Sequence, residues 1–339
     1  MTFTQSLNQI IKGRDLTQEQ AAEMITHIFS GNITPAQTGA FMAALATKGE
    51  TFEELAGAAR AMRRKAARIQ TLSRKVIDTC GTGGDASGSF NISTTTAFVV
   101  AGAGVTVAKH GNRSISSQCG SADVLETLGV NLAVEPEIVE EAVNEIGIGF
   151  LFAPKFHGAM KHAAQARKEC KIRSIFNMLG PLTNPAAASC QIVGVYAPAL
   201  TEMFASALHL LGVEKALVVH GHDGMDEITT TDLTRVSELS GGQVKSYDLD
   251  PLNYFDDYAD PRELQGGDAH KNADILTKIL SADKGPARDI VLINAAAGLV
   301  AADAAADIGQ GIQMAADAID SGRAMQTLND LVRFTQENG

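Results

Sequence analysis

Along the first seventy residues apolar positions recur every three to four places: Ala21, Met24, Ile25 and Ile28, then Phe41 and Leu45, then Leu55, Ala58, Ala59 and Met62. That is the period of amphipathic helices sharing one core. Three helix starts carry the capping-box pattern, in which a Thr and a Gln or Glu three residues later satisfy each other's backbone N–H groups: Thr17 with Gln20, Thr34 with Gln37, Thr51 with Glu54. Pro35 suits the first position of a helix, and Gly31 and Gly49 fall where helices end. Residues 1–72 read as a small all-helical domain. A basic run from Arg60 to Arg74 closes it and reads as a solvated helix face and linker.

From Lys75 the pattern changes. Short β-like runs at 76–78, 105–107, 149–152, 191–196, 216–220 and 290–294 alternate with helical stretches near 95–103, 122–128, 136–146, 199–211, 269–281 and 308–337. Such alternation predicts an α/β domain over 73–339, with a mostly parallel central sheet flanked by helices. The helical period returns near 163–186, a segment expected to pack back on the N-terminal domain.

Composition narrows the picture by exclusion. The chain has 339 residues, 45% of them hydrophobic, with no Trp, and a net charge of −11. That charge argues against nucleic acid and anionic membrane as partners, because both require a positive footprint. No apolar stretch approaches the ~18 residues of a membrane span, and the N-terminus carries no export signal, so a cytoplasmic location is expected. Cys80, Cys119, Cys170 and Cys190 are widely spaced and read as reduced, mostly buried thiols.

The chemistry gathers at three predicted strand ends. The first loop is Asp78-Thr-Cys-Gly-Thr-Gly-Gly-Asp85, running on to Asn91-Ile-Ser-Thr94; Asn91, Ser93, Thr94 and Thr95 are expected to cap the helix that follows. The second is Lys109-His-Gly-Asn-Arg-Ser114, running on to Ser116 and Ser117. Glycines admit a close backbone approach and helix N-termini add positive potential, so two such loops suggest a ligand with two separated phosphates. The first loop fits GxGxx[G/A], but the next strand end delivers Lys109 where a dinucleotide site wants an acid for the ribose, so a nicotinamide cofactor is set aside. The third loop carries Asp226 and Glu227, adjacent hard ligands that suit Mg2+ beside phosphates; His220 and His222 invite a weaker zinc reading. Among Arg167, Arg173 and nearby lysines the residues alone do not choose.

Taken in order, Gly81-Thr-Gly-Gly-Asp85, Asn91-Ile-Ser-Thr94, Lys109-His-Gly-Asn-Arg113, Ile175-Phe-Asn-Met-Leu-Gly-Pro-Leu-Thr-Asn-Pro185 and Gly224-Met-Asp-Glu227 resemble the anthranilate phosphoribosyltransferase family, over about residues 5 to 335. The resemblance implies a homodimeric enzyme that transfers phosphoribose from PRPP to anthranilate in tryptophan biosynthesis, with release of pyrophosphate. It implies a PRPP site of Gly81, Gly84, Asp85, Ser89, Asn91, Ile92, Ser93 and Thr94 on one wall. Lys109, His110, Gly111, Asn112, Arg113, Ser114, Ile115, Ser116, Ser117 and Ser121 form the other. It implies Mg2+ on Ser93, Asp226 and Glu227, anthranilate against Gly81, Asn112 and Arg167, and catalysis through Lys109, Asp85, Asp226 and Glu227. The chain departs from the family pattern at Gly158, where Pro is usual, at Gln165, again for Pro, and at Cys170-Lys171, where Leu-Gly is usual. Pyrimidine nucleoside phosphorylases and a nucleic-acid-binding relative share the fold; the first lacks support in the residues before Gly81, the second in the charge.

Overall fold

The computed structural model describes residues 2–114 and 118–339. Four helices come first: α1 (Phe3–Ile11), α2 (Gln18–Phe29), α3 (Pro35–Lys48) and α4 (Phe52–Lys65). Each begins with a Thr in a full capping box; Thr2 with Gln5 adds a fourth to the three read from sequence. Glu54 does more than cap. It is fully buried, and its two oxygens accept from Leu16 N at 2.8 Å, Thr51 N at 2.9 Å and Lys48 Nζ at 2.9 Å. The basic run is not all solvated: Arg63 donates to the Leu182 and Leu211 carbonyls at 2.8 and 3.2 Å, and burial lowers its pKa to about 10.

The second part runs β1 (Val76–Gly81), α5 (Ile92–Gly102), β2 (Thr106–Gly111), α6 (Ser121–Thr127), α7 (Pro136–Glu145), β3 (Ile148–Phe152) and α8 (Ala153–Phe156). Then come α9 (Lys161–Cys170), α10 (Ile175–Leu182), β4 (Cys190–Gly194), α11 (Leu200–Leu210), β5 (Lys215–Gly221), β6 (Thr234–Ser240) and β7 (Gln243–Leu249). Four helices close the chain: α12 (Ala269–Leu280), α13 (Pro286–Ala301), α14 (Ile308–Asp320) and α15 (Arg323–Glu337). The sheet order is β3-β2-β1-β4-β5-β6-β7; the first five strands are parallel and the last two antiparallel. The α/β class with a mostly parallel sheet therefore holds.

The two faces of this sheet carry two large cores, with a smaller cluster around Val76, Ala108, Leu151 and Phe156. On one, α5, α13, α14 and α15 cover Ile77, Val107, Ile192 and Val219. On the other, Val193 and Val218 join Phe204 and Leu208 of α11 and run without a break into the helical unit, through Met24, Phe41, Leu55, Phe176 and Leu179. Helix α9 packs on α2 and α3, and α10 on α3 and α4, so the segment between β3 and β4 completes the bundle.

Two expectations are corrected. Residues 290–294 are not a strand: they lie in α13, buried nearly all round between α5, α14 and the sheet. A fully buried helix shows no polar face, so its short apolar run is indistinguishable from a buried strand. The stretch 308–337 is two helices, broken where Gly322 takes φ +77°. No helix among the described residues is long and apolar enough to cross a membrane. The four cysteines are free thiols, three buried and Cys170 exposed.

Candidate active site

Strands β1 and β2 pair only at Val76 with Thr106 and Ile77 with Val107, whereas β1 stays paired to β4 as far as Gly81 and β2 to β3 as far as Gly111. Beyond Ile77 the two strands part, and side chains fill the wedge. The buried Asp78 carboxylate accepts from His110 N at 3.0 Å and from Asn184 Nδ2 at 2.7 Å; Asn184 also donates to the Ala108 carbonyl at 2.8 Å. Lys109, 3% exposed, donates across the wedge to the Thr79 carbonyl and lies 3.5 Å from Ser93 Oγ. Burial lowers its pKa, while Asp78 and Glu227 act to keep it charged.

The loop after β5 lies directly over the ends of β1 and β4. A Cβ on Gly194 would stand 1.5 Å from the Asp226 carbonyl oxygen, so only glycine fits there, and one on Gly81 would stand 2.6 Å from Asp226 Oδ2 and push that carboxylate aside. Gly83 N donates to Asp226 Oδ2 at 2.8 Å, Ser93 N to Glu227 Oε1 at 3.1 Å, and Asp226 N to Asp85 Oδ2 at 3.4 Å. Three carboxylates therefore share one corner. Burial, then the charge of Asp85, raises Asp226 to about 7; burial, then Asp226, pushes Glu227 well above the usual carboxylate range.

Among the described residues no three His, Cys, Asp or Glu side chains converge as a metal cage. The donor set here is two crowded carboxylates beside the Ser93 hydroxyl. It suits a hard cation that keeps waters and shares oxygens with a phosphate ligand, and such a cation relieves the crowding. The two histidines do not join it: His220 Nδ1 meets the Val195 carbonyl at 2.7 Å, and His222 lies 3.3 Å from Asp248.

The glycine loop beside these acids is built from left-handed residues: Gly83 (φ 64°), Gly84 (φ 76°), Ala86 (φ 62°) and Gly88 (φ 70°). Such turns line up successive N–H groups as an anion concavity. Among the described residues no acceptor meets the N–H groups of Gly84, Asp85 or Ala86. The loop is held by Thr82 N on the Gly194 carbonyl at 2.9 Å and by a bridge from Ser89 to Gln265. Asn91 is the N-cap residue of α5 without a capping side chain, which corrects the expectation: its amide joins Asn272 at 2.9 Å and the Cys119 carbonyl at 3.4 Å, and Glu227 meets the helix start instead. Ile92 and Thr94 are buried beneath that start, Ile92 in the core.

The second loop turns tightly. A Cβ on Gly111 would meet Ser121 Oγ at 2.3 Å; Ser121 Oγ receives Asn112 N at 3.2 Å and donates back to the Asn112 carbonyl at 3.3 Å. The Arg113 guanidinium is paired with Asp123 at 3.0 Å and Glu126 at 2.9 Å. Ser114 N donates to Asp123 at 3.1 Å. Ile115, Ser116 and Ser117 lie outside the described residues. His110 points away from the loops, with Nδ1 on the Gly180 carbonyl at 3.0 Å and its ring edge-on to His157 at 5.0 Å; burial lowers its pKa to about 3, which leaves it neutral. Arg167 of α9 is half-buried, 5.9 Å above the Phe176 ring, and meets no acceptor among the described residues.

Asp78, Asn184 and Gly194 were not singled out as site residues by sequence. Asn184 and Gly194 lay in motifs that read as a turn and a strand, and their contacts form only when distant segments meet.

Residues 73–325 match the glycosyl transferase family a/b domain, and residues 4–66 the helical bundle domain of the same family. Anthranilate phosphoribosyltransferase of Desulfosudis oleivorans is 63% identical over 99% of this chain and 100% of its own; that of Syntrophobacter fumaroxidans is 62% identical over 98% of both. The crystal structure of the Thermus thermophilus enzyme superposes with a TM-score of 0.93 at 41% identity, covering 97% of this chain and 99% of that one. The Saccharomyces cerevisiae enzyme in complex with PRPP and Mg gives 0.90 at 26%, covering 99% and 98%. On matches of this length and identity, to both domains, the chain belongs to the anthranilate phosphoribosyltransferase family.

Proposed function

We propose that this enzyme transfers the 5-phosphoribosyl group of PRPP to the amino group of anthranilate, giving N-(5-phosphoribosyl)anthranilate and pyrophosphate, a step of L-tryptophan biosynthesis. The observation that carries the reading is the meeting of three elements at one sheet edge: the glycine loop, the buried Lys109 and the Asp226–Glu227 corner. In this reading Gly81, Gly84, Asp85, Ser89, Asn91 and Ser93 line one wall of the PRPP site, with Ile92 and Thr94 buried behind it, and Lys109, Gly111, Asn112, Arg113, Ser114 and Ser121 the other, from which the His110 ring turns away.

Ser93, Asp226 and Glu227 would hold Mg2+, which would supply positive charge against the departing pyrophosphate. The chain's own contribution is electrostatic and positional. Backbone N–H groups of the glycine loop and the α5 start face the phosphate oxygens, and Lys109 adds fixed charge from beneath Thr79 and Ser93. Asp85 orients the Asp226 loop. The acceptor nitrogen is an aromatic amine, neutral at pH 7, so no strong base is needed; the neutral, buried His110 agrees with that. Arg167, half-buried and with no acceptor among the described residues, suits the anthranilate carboxylate, and in the same reading Asn112 and Gly81 meet the ring.

The division into 1–72, with the returning 163–186, and 73–339 belongs to the same proposal, as do a homodimer and a cytoplasmic location. The net charge of −11 disfavours nucleic acid and anionic membrane as partners. The test is the loss of anthranilate fluorescence on addition of PRPP and Mg2+. Signal loss that requires both is expected; a fluorescence unchanged under those conditions refutes the reading, and phosphorolysis of thymidine would then favour a nucleoside phosphorylase.

A further inference from the structure

The stretch Lys171–Ser174 joins α9 to α10 and reaches from the helical unit to the glycine loop. Arg173 in its middle is exposed, yet its guanidinium is held at two points. Nη2 donates to the Gly84 carbonyl, and Cζ lies 4.3 Å from the centroid of the Tyr196 ring. Tyr196 is itself fastened to the loop base, its N–H donating to Thr82 Oγ1 at 3.1 Å. A planar guanidinium stacked on an aromatic ring keeps its fork aimed in one direction, which an exposed Lys cannot do.

The place of this contact matters. The left-handed pair Gly83–Gly84 is held at its entering N–H by Asp226 and at its leaving carbonyl by Arg173. That carbonyl shares a peptide plane with the Asp85 N–H. In a trans peptide the two point opposite ways, so fixing one fixes the other. The Asp85 N–H is among the three that meet no acceptor, between those of Gly84 and Ala86.

We propose that Arg173 is a positioning residue for the PRPP site: by holding the Gly84 carbonyl it aims the Asp85 N–H, and with it the anion-facing edge of the glycine loop, toward the pyrophosphate of the substrate. The proposal rests on the phosphoribosyl-transfer reading. Asp226 pins the same glycine pair through its own residues, and Arg173 adds the second, independent pin. Two free glycines otherwise sample many orientations, and the cost of ordering them falls on ligand binding.

The test compares wild type with R173M, R173K, Y196F and Y196L. It reads steady-state constants for both substrates, calorimetric binding of pyrophosphate with Mg2+ and no acceptor present, and thermal midpoints. R173M is expected to raise both the KM for PRPP and the Kd for pyrophosphate about 10- to 30-fold, while kcat, the KM for anthranilate and the midpoint stay nearly unchanged. R173K should recover little of this, Y196F nearly all, and Y196L should fall between. Pyrophosphate affinity and PRPP KM within about twofold of wild type in R173M overturn the proposal. So does an equal loss on both substrates together with a lowered midpoint, which marks Arg173 as merely structural. Because pyrophosphate binding needs no acceptor, it judges Arg173 even if anthranilate is not consumed and the functional reading fails.

Discussion

The wedge between β1 and β2 and the acid corner over β1 and β4 stand at the same sheet edge, and both bury carboxylates, but they treat charge in opposite ways. Around Asp78 every neighbour works to hold the charge: Lys109 by its field, Asn184 and the His110 N–H by hydrogen bonds. Burial still raises its pKa, against all of them. Around Asp226 and Glu227 the other carboxylates compound the burial, since Asp85, Asp226 and Glu227 repel one another, and the Gly83 and Ser93 N–H groups and the Lys109 charge offset this only in part. A folded chain tolerates such crowding where a ligand is due to neutralise it. The wedge is finished by the protein itself; the corner is finished by what binds there.

The sharpest way to break that contrast is to neutralise the corner. Asp226→Asn with Glu227→Gln is expected to lower kcat/KM about 10³-fold and to remove the Mg2+ dependence, measured by metal titration. The same variant should melt at or above wild type in metal-free buffer. The sign follows from proton binding. Asp226 titrates near 3.8 when unfolded and near 7 when folded, so between those values the folded state holds more protons and wild type loses stability as pH rises. The double variant should lack that loss. A variant that melts lower across this window would show that the corner is built for stability.

Arg167 extends the comparison to a cation. It is half-buried and meets no acceptor among the described residues, where Arg113 is exposed and doubly paired to Asp123 and Glu126. Arg167→Ala is expected to raise the KM for anthranilate about 10- to 100-fold with little change for PRPP. Arg113→Ala serves as the contrast in the same assay. Equal effects of Arg167→Ala on both substrates would remove it from the acceptor site.

These differences also explain what could be read before any coordinates. The helix starts were legible because a capping box is local, complete within four residues. The glycine loop and the Asp226–Glu227 pair were legible because polar, flexible residues at strand ends have few structural uses. The wedge was not, because Asp78 and Asn184 lie 106 residues apart and each passes for an ordinary turn residue alone. Gly194 read as one more small residue in a strand, and its need for no Cβ is dictated by Asp226. The hairpin of β6 and β7 carries a local signal too: Gly241–Gly242, at φ 57° and 76°, is the two-residue turn that joins antiparallel strands. Helix α13 offered only its start, Pro286 at the first position, for its apolar surface carries no period.

The wedge can be broken in turn. Asp78→Asn keeps the shape but turns one acceptor into a donor facing either Asn184 Nδ2 or the His110 N–H. We expect a loss of about 1–3 kcal/mol in unfolding free energy, measured by denaturant titration, with kcat in the folded enzyme reduced less than about tenfold. An unchanged stability with abolished turnover would move Asp78 from the scaffold to the chemistry.

The smallest effect tests whether an unusual residue at the end of α9 serves a purpose. Lys171 caps that helix in the left-handed region, at φ 50° and ψ 34°, with its N–H on the Arg167 carbonyl at 3.2 Å. A side chain there crowds its own carbonyl, a strain that glycine escapes, although glycine gives back part of the gain by loosening the unfolded chain. Lys171→Gly is therefore expected to stabilise the protein by about 0.5–1 kcal/mol, seen as a small rise in thermal midpoint. Two positions on, Arg173 depends on the path this cap sets. If glycine also raises the KM for PRPP, the strained lysine is holding that path and the stability it costs has a use; if only the midpoint moves, the strain is incidental and the path is set by the stack on Tyr196.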